Sequence, residues 1–207
     1  MKLILSSCDF GNTLAKNVIC DNLPKSIAEC RVLFIPNEKA TSELIETDLY
    51  PNRLCNLGFT KENVIIFNHE TPESFTGLDI DLIYVSGGNT FGTLDKIRKS
   101  GFDKAIISYV ESGVVYIGGS AGAHIVTQSI EHITKYDENN VGLEDFSGLG
   151  LFDGILMCHY TSQRREHLNE LEKQNKYKIQ YLTDSDSILV TDTETLVITE
   201  HGSFVIE

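Results

Sequence analysis

The sequence predicts an α/β fold: a doubly wound, mostly parallel sheet with an antiparallel edge built by the C-terminal part of the chain. Three observations predict it. Short apolar, β-branched runs recur through the first half; amphipathic stretches lie between them; and the end of the chain breaks into short strands joined by turn residues.

The runs are "KLILSS" (2–7), "RVLFIP" (31–36), "NVIIFN" (63–68), "DLIYVS" (81–86) and "GVVYIG" (113–118). Each is continuously apolar rather than alternating, as a parallel strand covered on both faces must be. Between the second and third, "TSELIETDLYPNRLCNLGF" puts Leu44, Ile45, Leu49 and Leu54 near helical spacing, with Pro51 marking a kink or a boundary. "TLDKIRKS" and "FDKAIISYVES" carry similar stripes. Strands and helices alternating in this way imply right-handed crossovers and a parallel sheet. At the end, "SILVTD", "TLVITE" and "SFVIE", separated by "TDTET" and "EHGS", read as an antiparallel meander.

The 207 residues fit one domain, 1–207, with a sizeable core, and a 41% hydrophobic share marks a globular chain rather than a disordered one. "MKLILSSCDF" is too short and polar for a signal-peptide core or a membrane span. A cytoplasmic location without a membrane partner is therefore expected. Five cysteines form an odd set without a C-x-x-C pair or zinc-like spacing, which predicts reduced thiols and no metal site; no cofactor is expected. A net charge of −13 repels phosphate backbones, so nucleic acid is a poor partner. A homo-oligomer is left open.

"YIGGSAGAHI" (116–125) sets Gly118-Gly119-Ser120-Ala121-Gly122 between a strand and "AGAHIVTQS", which can start a helix. G-x-S-x-G at a strand-to-helix turn is the context in which a serine is held strained and exposed as a nucleophile, with free N–H groups of the helix start beside it. One strand earlier, "VSGGNTFGTL" repeats the design: Gly87-Gly88, then Asn89-Thr90 at a helix cap. Neighbouring strand ends share a rim, so the Gly88 and Ala121 N–H groups are the candidate oxyanion donors, and Asn89 joins them as a substrate contact. A plain small-residue turn is the bland alternative.

For a base there are six histidines. His124 falls on the helix behind Ser120 and faces away from the rim. His167 and His201 lie in polar surroundings and read as surface residues. His159 ends the apolar run "DGILMCHY", emerging where a side chain can reach Ser120, and is preferred. Candidates for the acid that orients it are Asp184 and Asp186 in "YLTDSDSILV" and Asp137 in "TKYDENN". The sequence does not choose among them.

"VSGGNTFGTL", "YIGGSAGAHIV" and "GLGLFDGILMCHY", in that order and spacing, resemble the serine peptidase family of dipeptidase E (alpha-aspartyl dipeptidase), with cyanophycinase as a more distant relative. The resemblance implies a glutamine-amidotransferase-like fold and hydrolysis of small peptides. It matches Ser120 to the nucleophile, His159 to the base, and Gly88 and Ala121 to the oxyanion donors. Asp137 falls near one acid position proposed for the family and the Asp184–Asp186 segment near another, so Asp137 and Asp186 are carried jointly. The chain departs from the family twice. Met157-Cys158 replaces the polar pair that precedes the histidine in cyanophycinase, and after His159 "TSQRREHLNEL" turns quickly into an amphipathic helix. Arg164 or Arg165 there is a candidate for a substrate carboxylate, against the alternative of solvated helix charges.

Two other functions compete. An α/β-hydrolase-type esterase would order Ser120, Asp186 and His201 along the chain. A non-catalytic module would use the glycine turns to cradle a small molecule or anion.

Overall fold

A computed structural model describes residues 1–206. In chain order the elements are β1 (Leu3–Ser6), α1 (Thr13–Asn22), β2 (Val32–Ile35), α2 (Ser42–Ile45), α3 (Leu49–Leu57), β3 (Val64–Ile66), β4 (Leu82–Val85), α4 (Thr90–Lys99) and α5 (Phe102–Glu111). They continue with β5 (Val115–Gly119), α6 (Ala121–His124), β6 (Ile155–Met157), α7 (Arg165–Gln174), β7 (Ile179–Tyr181), β8 (Ser187–Val190), β9 (Thr195–Thr199) and β10 (Gly202–Ile206). Eight strands form one sheet in the order β10-β9-β8-β1-β5-β4-β2-β3. Strands β1 to β5 pair in parallel and β8 to β10 antiparallel, as the sequence predicts.

The continuous apolar runs have a direct cause. Leu3, Leu5, Leu33, Ile35, Ile83 and Val85 pack on one face, and their neighbours Ile4, Val32, Phe34, Leu82 and Tyr84 pack on the other. Both faces of β1, β2 and β4 are covered, so these strands are apolar at every position but Ser6. The described residues include no helix long and apolar enough to cross a membrane.

Three local features refine the sequence reading. The stretch around Pro51 is two helices, so of the kink or boundary expected there it has the boundary, though not at the proline. The break falls at residues 46–48, and Pro51 sits in the first turn of α3, where its missing N–H costs nothing. The helix after Ser120 is a single turn, after which residues 125–130 leave it. The apolar run before His159 is a strand, and it lies outside the main sheet, a placement the sequence reading left unstated: β6 pairs in parallel with β7 as a separate ribbon.

Candidate active site

Strand β5 ends at Gly119, and the next residue takes a backbone conformation that few side chains tolerate, with Ser120 at φ 48° and ψ −109°. Such strain costs on the order of 1–3 kcal/mol and persists only where surrounding structure fixes it. Here Ser120 N–H donates to the Ser6 carbonyl, and the Ala123 and His124 N–H groups donate back to the Ser120 carbonyl. Gly122 has no alternative, because a Cβ there would lie 2.2 Å from the Val85 carbonyl oxygen. The same applies to Gly119, whose Cβ would fall 1.1 Å from Asp9 Oδ1. The two glycine turns meet as expected, a Cβ on Gly87 being 3.4 Å from Ser120 Cβ.

Ser120 Oγ lies 2.9 Å from His159 Nε2, and His159 Nδ1 lies 2.6 Å from Asp184 Oδ1. A carboxylate can only accept, so Nδ1 carries the proton and the Nε2 lone pair accepts from the Ser120 hydroxyl. His159 is itself at φ 54°, held there by its N–H donating to Ser7 Oγ. Ser7 Oγ in turn donates to the Leu182 carbonyl, and Asn12 Nδ2 donates to the Asp184 carbonyl. The loop after β1 thus ties the end of β6 to the turn before β8, which brings imidazole and carboxylate to the serine.

The carboxylate beside His159 is that of Asp184, one of the three candidates, and not that of Asp137 or Asp186, the pair carried jointly. Asp137 Oδ2 accepts from the Thr90 N–H, placing negative charge at the start of α4, where the helix dipole favours it. Asp186 Oδ2 accepts from the Thr183 N–H and hydroxyl, closing its own turn. Neither touches His159. Asn89 is also committed elsewhere: its side-chain oxygen accepts from the Gly92 N–H and its amide donates to the Glu138 carbonyl, capping α4. The N–H groups of Gly88 and Ala121, by contrast, have no acceptor among the described residues.

Arg164 Nη1 donates to the Cys158 carbonyl at 2.6 Å, and its guanidinium stacks 3.8 Å from the centre of the Tyr136 ring. Arg165 is exposed, with its guanidinium 5.9 Å from the Tyr160 ring centre. His167 is buried, contrary to the sequence reading, and shares a hydrogen bond with the Tyr136 hydroxyl. His124 is buried too; its Nε2 accepts from the Cys158 N–H, and burial holds the ring neutral by pushing its pKa far down. His201 is exposed in the β9–β10 turn, away from the contacts of Ser120, so the esterase arrangement is not assembled.

Two groups beside the site escaped the sequence reading. Cys8 is partly buried next to Asp184; burial first, then the charge of Asp184, pushes its thiol up to about 11. Asp9, at φ 51°, directs a carboxyl oxygen against Gly119 with no partner for it among the described residues. Burial raises its pKa to about 6, against the lowering effect of the Tyr84 hydroxyl and the Gly87 N–H. The folded state therefore binds this proton more tightly than the unfolded state. Stability from Asp9 is fully present below its unfolded value near 4 and is lost as pH rises through about 6, by about 2–3 kcal/mol at most. Asp9→Asn should remove that loss. Relative to wild type, the variant gains melting temperature from pH 4 to pH 7; parallel curves in thermal denaturation would show that Asp9 is not held protonated.

A model of peptidase family S51 matches residues 3–198. The chain belongs to peptidase family S51. This is the dipeptidase E family of serine peptidases, so the resemblance of the three glycine-containing blocks reflects membership. An uncharacterized peptidase of Listeria monocytogenes is 30% identical over 172 residues, covering 80% of this chain and 84% of the relative. A peptidase E of Streptomyces coelicolor is 27% identical over 164 residues, covering 77% and 63%. Among solved structures, a protein assigned to peptidase E from Listeria monocytogenes superposes with a TM-score of 0.73 at 24% identity, covering 95% of this chain and 96% of the other. An actinobacterial peptidase gives 0.61 at 14%, covering 99% and 96%. At these identities the structures speak for the fold, and the family match makes this S51 member a peptidase.

Proposed function

We propose that this peptidase hydrolyses small peptides through an acyl-enzyme on Ser120, with His159 as base, Asp184 as the acid that orients it, and the Gly88 and Ala121 N–H groups as the oxyanion hole. The observation that carries the reading is the unbroken hydrogen-bond chain from Ser120 through His159 to Asp184. Ser120 Oγ attacks the scissile carbonyl as its proton passes to His159 Nε2. The tetrahedral oxyanion is held by the two free N–H groups, and the imidazolium returns the proton to the leaving amine. Water then repeats the sequence to release the acid.

Beside Gly88 opens a cleft of about 470 Å³ lined in part by Glu38, Asn89, Tyr136, Asp137 and Glu138. Its three carboxylates outnumber its one lysine, Lys39, and favour a peptide's terminal ammonium. Arg164, with N–H groups left over after its bond to Cys158, offers a site for a carboxylate at the Tyr136 side. Small unblocked peptides carry both charges.

The test is a fluorophosphonate probe followed by a dipeptide library that includes Asp-X members. Covalent labelling of Ser120, with turnover of free dipeptides exceeding that of N-acetylated ones, is expected. An unlabelled Ser120 would return the glycine turns to a passive ligand cradle.

A further inference from the structure

Cys8, His159 and Asp184 come from three distant stretches of chain, yet each offers a ligand atom within 4.8 Å of the other two. Thiolate, imidazole and carboxylate together are the donor set of a zinc-class cation, which takes sulfur at about 2.3 Å and nitrogen or oxygen at about 2.0–2.2 Å. Tetrahedral bonds of those lengths separate the donors by about 3.3–3.6 Å, so the existing cluster needs movements of only about 1 Å. The side chains that must move are free to do so, Asp184 being 65% and His159 37% exposed. The backbone beneath them is fixed by the Ser7 and Asn12 hydrogen bonds. The set spans residues 8 to 184, so no local ligand spacing marks it in the sequence.

We propose that Cys8 Sγ, His159 Nδ1 and an Asp184 carboxylate oxygen form a binding site for a zinc-class divalent cation that switches the peptidase off reversibly. Binding releases the thiol proton to solvent. The proton on His159 Nδ1 relocates to Nε2, since the metal now holds the Nδ1 lone pair. Nε2 then presents N–H to Ser120 and can no longer accept its proton. Three protein ligands leave a fourth position for water. Metal binding does not depend on the catalytic assignment, whereas the inhibition rests on it.

The experiment titrates Co²⁺ and Zn²⁺ into tag-free, reduced protein in a non-coordinating buffer. Binding is followed by the thiolate-to-cobalt charge-transfer band and by chelator competition. In parallel, dipeptide hydrolysis is scored for each variant against its own metal-free rate. The expected result is one equivalent bound with the thiolate band, inhibition at the same midpoint, and full recovery with EDTA. Cys8→Ala and Cys8→Ser should lose the band and weaken binding by about 100-fold, since outer-shell losses alone cost roughly 10–100-fold. A band that survives both variants would assign the metal to another thiol, such as the partly buried Cys20 or Cys55, and overturn the site. So would inhibition insensitive to Cys8, or no band at all. If the wild type binds metal through Cys8 but hydrolyses no peptide, the site stands and only the hydrolytic reading fails.

Discussion

Ser120→Ala should lower kcat on a good dipeptide substrate by about 10⁴- to 10⁶-fold, the range expected when the nucleophile of a serine triad is removed and only binding and the oxyanion hole remain. KM should change little, because the hydroxyl forms its decisive bond only in the transition state. The loss belongs to the oxygen and not to the fold: Ser120 Oγ makes one hydrogen bond, to His159, and the turn is held by backbone bonds that alanine retains. A second substitution separates strain from chemistry. At φ 48° both serine and alanine pay for a Cβ, while glycine does not. Ser120→Gly should therefore be as inactive as Ser120→Ala but melt higher, with a net gain of up to about 1 kcal/mol once glycine's looser unfolded state is counted. Steady-state kinetics and thermal denaturation of the two variants check both halves. Peptide turnover surviving in Ser120→Ala would remove the serine from the mechanism.

The strands are legible because burial on both faces leaves one kind of sequence, and the elbow is legible because Gly119, Ser120 and Gly122 stand within four consecutive residues, although the groups that require the glycines, Asp9 and Val85, are distant. What was hidden depended on long-range placement. Helix α1 went unread although Asn12 caps it and Ala15, Val18 and Ile19 form its buried stripe, a weak signal among polar neighbours. The run ending in His159 reads as a strand in isolation, and nothing local says that β6 pairs with β7 rather than with the main sheet. Asp184 and Asp186 sit two residues apart in one turn, so their carboxylates have nearly the same sequence environment. They diverge because Asp186 is consumed by Thr183, while Asn12 pins the Asp184 backbone beside His159. Cys8 reads in sequence only as an unpaired thiol, since its neighbours lie more than one hundred residues away along the chain.

That divergence makes the acid testable. In Asp184→Asn the side-chain amide can donate to Nδ1, which drives the imidazole toward the tautomer with its proton on Nε2, where it cannot accept from Ser120. The corresponding change in a buried triad costs about 10⁴-fold in kcat. Here the carboxylate is 65% exposed, so water shares its role in stabilising the imidazolium, and a fall of about 10² to 10⁴ in kcat is expected. Asp137→Asn and Asp186→Asn are the internal controls. Each keeps an oxygen that can accept the N–H bonds made by Thr90 or Thr183, so each should keep kcat within about tenfold of wild type with a small stability loss, while Asp137→Asn, which removes a cleft carboxylate, raises KM. The three kcat values, measured on one substrate at one pH, rank the aspartates. If Asp137→Asn lost the most and Asp184→Asn the least, the acid would have to come from the loop after the nucleophile helix. The 2.6 Å contact between Asp184 and His159 would then be a resting-state pairing that substrate displaces.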